Sequence, residues 1–220
     1  MSLSNLECSN NGCPKIKCYI LLILSLVTFL ILYSYVDKPV CEYFANLNLS
    51  FAEMWFEILG KGWLWMAIFF ELAIIYWWKK DTTQKAKWMF GCGCWISLCY
   101  ISCTILKMIF GRARPSLWLS HHIFGFYGFK FQMKYWSFPS GHTTTYVALA
   151  LAISLFMPKY RFILVLLGIA LATTRIIFVD HYCSDVFGTT ILVLFLFTIL
   201  KHQLEKRPRV REWFEIPILK

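Results

Sequence analysis

CYILLILSLVTFLILYSYV, residues 18–36, runs for nineteen positions without a charged side chain, close to the ~20 residues that cross the roughly 30 Å hydrocarbon core of a bilayer. A cleaved signal peptide would have a shorter apolar core and a small-residue cleavage site, whereas residues 33–38 read YSYVDK. The stretch therefore predicts a membrane span. The rest of the chain agrees, with 59% hydrophobic residues and a mean hydropathy of +0.58 over 220 residues, well above a soluble globule. Five more apolar runs follow, at residues 62–78, 88–106, 143–157, 162–179 and 186–200. The expected fold is all-α: a polytopic membrane protein with six transmembrane helices in one bundle. The fourth and sixth runs are short, so their helices are expected to extend into flanking polar residues. Between Leu47 and Leu59, apolar residues near helical spacing suit an interfacial helix or an amphipathic packing helix.

The formal net charge of +10 is informative through its placement. With a cytoplasmic N-terminus, fourteen lysines and arginines fall on the inner side of six spans and seven on the outer side, Arg175 lying within the fifth span. That asymmetry satisfies the positive-inside bias and puts both termini in the cytoplasm. The basic tail EKRPRVR is expected to lie against anionic headgroups, and no soluble domain is present to take nucleic acid. Domain organisation is read as one unit over 1–220, with an N-terminal tail (1–16), a core (88–200) and a basic C-terminal tail (201–220).

Nine cysteines do not form a metal pattern. Cys92, Cys94, Cys99 and Cys103 lie within the third span, where thiols act as small packing groups, and CGC is not a zinc knuckle. Only Cys41 and Cys183 fall on the outer side, where a bridge would require them to be adjacent. No repeat or linker interrupts the chain.

Charge near the bilayer core costs roughly 2.5–3.5 kcal/mol per side chain, so each instance needs a partner or a function. Glu71, in the second span, is expected to be protonated or paired with a neighbouring helix. The other exceptions gather at one membrane face. Lys107 ends the third span, His142 opens the fourth, Arg175 lies near the end of the fifth, and His181 and Asp185 precede the sixth. In an up-and-down bundle these ends meet on the outer side.

Lys107 and Arg114 are seven residues apart, but Pro115 argues that the chain leaves the helix before Arg114. With Arg175 they form three cations suited to an anion, arginine offering bidentate contacts and lysine a point charge. His181 and Asp185, four apart, share a helix face, so the carboxylate can fix one ring nitrogen and leave the other as a nucleophile. In FPSGHTTT (138–145), Gly141 permits close backbone approach, Ser140 offers a hydroxyl and an N–H, and a helix N-terminus follows. His142 in its first turn could pass a proton to a departing oxygen. Together these groups specify phosphoryl transfer through a covalent phosphohistidine.

The three clusters, K(107)-x6-R(114)-P, P(139)-S-G-H(142) and T(174)-R-x5-H(181)-x3-D(185), resemble the signature of the phosphatidic acid phosphatase type 2 and vanadium haloperoxidase superfamily, KxxxxxxRP, PSGH and SRxxxxxHxxxD. The resemblance covers Lys107 to Asp185, with Thr174 in place of the usual serine, a change that keeps the hydroxyl. It implies that Lys107, Arg114 and Arg175 grip phosphate oxygens and that Ser140 and the Gly141 backbone complete the cradle. His181 would attack phosphorus, Asp185 orient it and His142 protonate the leaving group, with no metal and no other cofactor. Compact relatives imply a bacterial inner-membrane enzyme with a periplasm-facing site. Its partner would be a lipid phosphate or diphosphate in the bilayer: undecaprenyl diphosphate first, then phosphatidylglycerol phosphate, phosphatidate or lipid A phosphate. A phosphotransferase between lipids is the second enzymatic reading, and a non-catalytic lipid-phosphate binder or transporter is the reading from another class. The soluble haloperoxidase branch fits a membrane-spanning chain poorly.

Arg112 has no place in the signature and is expected at the rim. His121 and His122 are expected to be exposed in the loop between the first two motifs. The aromatic residues of that loop are expected to anchor at the membrane interface or to cover the site.

Overall fold

The structure, a computed structural model, describes residues 13–47, 53–79 and 83–207. The backbone is helical, with no strand among the described residues beyond an isolated bridge between Arg112 and Phe126. The ends of the expected tails, at 1–12 and 208–220, and Lys80 fall outside these residues, as do the side chains of 13–18.

The first rod comprises α1 (Cys13–Ile31), a π-helical turn (Leu32–Val36) and α2 (Asp37–Leu47). Pro39 accounts for the wide turn: it cannot donate to the carbonyl of Tyr35 and its ring crowds that oxygen. The backbone relaxes to i→i−5 bonding, with the Asp37 N–H reaching Leu32 O. Residues 19–36 of the rod largely face outward, whereas Asp37 (1% exposed) and Cys41 (4%) turn inward.

After α3 (Glu53–Leu59) the chain bends by 47° at Gly60 and Lys61 into α4 (Gly62–Trp78). Then come α5 (Thr83–Phe110), the short α6 (Pro115–His121), α7 (Gly141–Phe156), α8 (Arg161–Ile177) and α9 (Cys183–Glu205). Among the described residues, four helical stretches are long and apolar enough to cross a membrane, and the bent α3–α4 pair, taken as one span, makes a fifth. Helix α7 has 16 residues, about 24 Å, which falls short of the roughly 30 Å hydrocarbon core.

Ten residues of α7 are buried, on every side of the helix, which makes it the centre of the bundle. It packs against α4, α5, α8 and α9. Its small residues allow close approach: a Cβ on Gly168 of α8 would lie 2.9 Å from Tyr146 O and 3.0 Å from Ala150 Cβ. The core joins Trp95, Ile96 and Cys99 of α5 to Val147, Leu151 and Val193. Trp95 Nε1 donates to Ala148 O at 2.9 Å, so its one polar atom is satisfied inside the bundle.

Glu71 is exposed on α4 with no partner among the described residues, rather than paired with a neighbouring helix. Cys41 and Cys183 are both free thiols.

Candidate active site

The site lies where α5 and α8 end and α7 and α9 begin. Helix α5 stops after Phe110 because Gly111 takes φ +52°, a position where a Cβ would lie 1.8 Å from Gly128 O; only glycine fits. The following strand-like segment is held by Ala113 N–H to Gly125 O (3.0 Å), Arg114 N–H to Lys134 O (2.9 Å) and Ser137 N–H to Arg112 O (3.1 Å). Arg114 is extended, with Pro115 opening α6, so Lys107 and Arg114 meet through a loop and not along one helix face.

Helix α7 starts at Gly141, as the sequence predicts. Ser140 is fully buried and its hydroxyl oxygen accepts the Thr143 N–H at 3.3 Å. Its own N–H donates to Thr189 Oγ1 at 2.8 Å, so this amide is occupied, and only the hydroxyl proton is left for a ligand. The amides of Gly141 and His142 lie in the first helical turn, where no intrahelical acceptor exists. A Cβ on Gly141 would sit 3.9 Å from Lys107 Cε, which brings the second motif against the first. Lys107 Nζ donates to Trp136 O at 2.8 Å.

His142 Nε2 lies 3.2 Å from Glu57 O of α3, and its ring rests on Gly60, where a Cβ would fall 2.0 Å from Cδ2 and 3.1 Å from the histidine Cβ. At 3.1 Å the root of the side chain need give only a few tenths of an ångström, whereas the ring, at 2.0 Å, must shift. Replacing Gly60 with alanine is therefore expected to displace the imidazole and to lower turnover on the order of 10²-fold, the cost of an ångström-scale misplacement. Steady-state phosphate release from the variant measures it.

Beyond α8, Asp180 N–H and His181 N–H both donate to Arg175 O, at 3.0 and 3.1 Å. This fold-back forces Val179 to φ +59°, a strained position for a β-branched residue. It also ties the third cation to the second histidine. Arg175 is 3% exposed and pairs with Asp180 through Nη2, while its Nε and Nη1 are buried without a partner, as is Arg114 Nε. Burial pushes the Asp180 carboxyl up, against the charges of Arg175 and Arg114. Buried guanidinium nitrogens without an acceptor are costly, and an incoming anion would satisfy them.

His181 is 4% exposed. Burial pushes its imidazole down to about 3, Asp185 opposing and the charges of Arg114 and Lys107 adding to the effect. The ring is thus neutral. Asp185 Oδ2 stands 3.7 Å from His181 Nδ1, longer than a hydrogen bond. That oxygen already accepts from Ser137 Oγ (2.6 Å) and from Tyr182 N–H (3.0 Å), the reach-back contact that opens α9.

Arg112 overturns the expectation of a rim residue. It is fully buried, and its guanidinium bridges Asp185 Oδ1 at 2.5 Å and Asp37 Oδ2 at 2.6 Å. Exposure depends on what the rest of the chain lays over a residue, here α2 and the loop aromatics. Asp37, Ser137, Gly60 and Asp180 likewise hold no signature position in the three motifs. For Asp37 the available signal was an acidic residue at the end of the first span, where a carboxylate needs a partner. His121 and His122 are exposed, as expected. The loop aromatics divide: Phe124 and Phe126 pack 4.8 and 5.7 Å from the Tyr33 ring, whereas Phe129 and Phe131 are 73% and 75% exposed.

Comparison with known proteins adds three findings. A family model described as the PAP2 superfamily matches residues 88–209. Proteins called lipid A 1-phosphatase from Rhizobium etli and Rhizobium johnstonii are each 40% identical over 82 residues, 37% of this chain. The match spans only 35% and 34% of those relatives. No solved structure matches the chain.

Proposed function

The chain belongs to the PAP2 superfamily, and on that premise we propose that it is an integral membrane lipid phosphatase working through a phosphohistidine. The observation that carries the reading is the buried Arg175, with two unpartnered nitrogens, tied by its carbonyl to the neutral His181. Lys107, Arg114 and Arg175 hold the phosphate oxygens, together with the hydroxyl of Ser140 and the free first-turn amides at Gly141 and His142.

With Nδ1–H turned toward Asp185, His181 presents the Nε2 lone pair. Nε2 attacks phosphorus, a P–N bond forms, and the P–O bond to the lipid breaks. The departing oxygen takes a proton from His142, whose protonated form the bound phosphate favours. Water, deprotonated by the now neutral His142, then cleaves the P–N bond and releases phosphate.

The name of the relatives puts the 1-phosphate of lipid A ahead of undecaprenyl diphosphate as substrate, with phosphatidylglycerol phosphate and phosphatidate after them. On this reading the whole chain is one domain in the bacterial inner membrane. Helix α7 completes six spans by starting below the surface, inside the protein, and the site faces the periplasm with both termini in the cytoplasm.

The test uses purified full-length protein with radiolabelled lipid A 1-phosphate, undecaprenyl diphosphate and phosphatidate. Release of free phosphate and acid-labile, alkali-stable label on the protein are expected. Label passing into a second lipid would identify a phosphotransferase, and neither release nor labelling with any lipid would leave a binder.

A further inference from the structure

We propose that Asp37 and Arg112 position the nucleophile, in a chain Asp37–Arg112–Asp185–His181 that makes the first membrane helix a working part of the site. The proposal rests on the phosphohistidine reading above.

Asp185 cannot rotate freely. Arg112 Nη1 fixes Oδ1, while Ser137 and Tyr182 N–H fix Oδ2. Arg112 in turn has no alternative place to go. Its guanidinium carbon lies 5.1 Å from the Tyr33 ring, 5.1 Å from Phe126 and 4.8 Å from Tyr182, and Nη2 is held by Asp37. Asp37 is anchored by Ser184, whose N–H donates to Oδ1 at 2.9 Å and whose hydroxyl donates to Oδ2. The same hydroxyl accepts from Arg112 Nη1 at 2.8 Å. Every link in this chain is buried.

One guanidinium is therefore shared between two carboxylates. The charge of Asp37 offsets part of the Arg112 charge, so Asp185 keeps more of its own negative charge facing His181 Nδ1, 3.7 Å from its Oδ2. As the P–N bond forms, positive charge develops on the imidazole, and Asp185 must answer it. Without the Asp37 charge, Arg112 pulls on Asp185 alone, drawing the carboxylate off His181. The effect falls on the transition state, because the groups that hold phosphate in the ground state are Lys107, Arg114 and Arg175. A carboxylate buried at the end of a membrane helix is expensive, and an apolar pair is often as stable as a buried ion pair or more so.

Asp37→Asn keeps the shape and one acceptor but removes the charge; it is expected to lower kcat by roughly 10- to 100-fold, as loss of an outer orienting partner does, with KM and inhibition by inorganic phosphate within about twofold. Ser184→Ala, which leaves the charges in place, is expected to lower kcat about fivefold with the same unchanged binding. A folded Asp37→Asn protein with wild-type kcat, or with kcat and phosphate binding reduced together, overturns the proposal. If Asp37→Asn does not yield monodisperse protein, Ser184→Ala decides by the same two readouts. Full activity in Asp37→Asn beside an inactive His181→Ala would remove this inference alone, whereas an active His181→Ala would remove the reading beneath it.

Discussion

Replacing His181 with alanine is expected to lower kcat by at least about 10⁴-fold, the scale on which loss of a covalent nucleophile acts, and to abolish acid-labile labelling of the protein. Inorganic phosphate should still bind, because Lys107, Arg114 and Arg175 remain. The same variant carries a pH signature. In the folded protein the His181 imidazole is held down to about 3, chiefly by burial, whereas in the unfolded chain it titrates near 6.5. Below that value the unfolded state takes up a proton that the folded state refuses, so stability is present above about pH 6.5 and is lost as the pH falls toward 3. Between pH 7 and pH 5 the wild type should lose about 2 kcal/mol through this group, and His181→Ala should not. Chemical unfolding of both proteins at the two pH values measures the difference. Equal pH sensitivity would mean that His181 is not buried neutral.

The second large effect is on folding. Arg112→Ala removes the cation between Asp37 and Asp185, both buried to within 1% of full burial, and leaves two carboxylates facing each other across a cavity. Breaking a buried pair on one side costs roughly 3–5 kcal/mol, a large share of the stability of a domain. Arg112→Ala is expected to unfold at a much lower temperature than the wild type or to be lost from the membrane. Combining it with Asp37→Asn should recover part of that loss, since one uncompensated charge disappears with its partner. A thermal midpoint for Arg112→Ala within a degree or two of the wild type would show that Arg112 does not hold the first helix to the site.

Both results concern residues that differ sharply in how readable they were. His181 announced itself through spacing: an aspartate four residues on, an arginine six residues before, and an apolar run on each side. Arg112 lay between two motif cations in GRARP and carried no periodic or local sign of its role. The same contrast holds for the glycines. Gly141 sits in a recognisable motif, but Gly60 matters only because the His142 ring is packed on it.

The sequence by itself determined the apolar helices and most of their limits, the start of α7 at Gly141, the break before Pro115 and the histidines and cations that meet at one end of the bundle. These follow from local physics: the length of an uncharged run against the bilayer, the bonding that proline forbids and the turn that glycine permits. Only the tertiary structure decided that Asp37 reaches Arg112 across 75 residues, that Ser140 gives its amide to Thr189, and that the short α7 is enclosed on all sides. Those outcomes depend on how distant helices pack, which brings side chains to partners far away in the chain. Burial and ion pairing are set by what packs over a residue, and neighbouring sequence does not encode that.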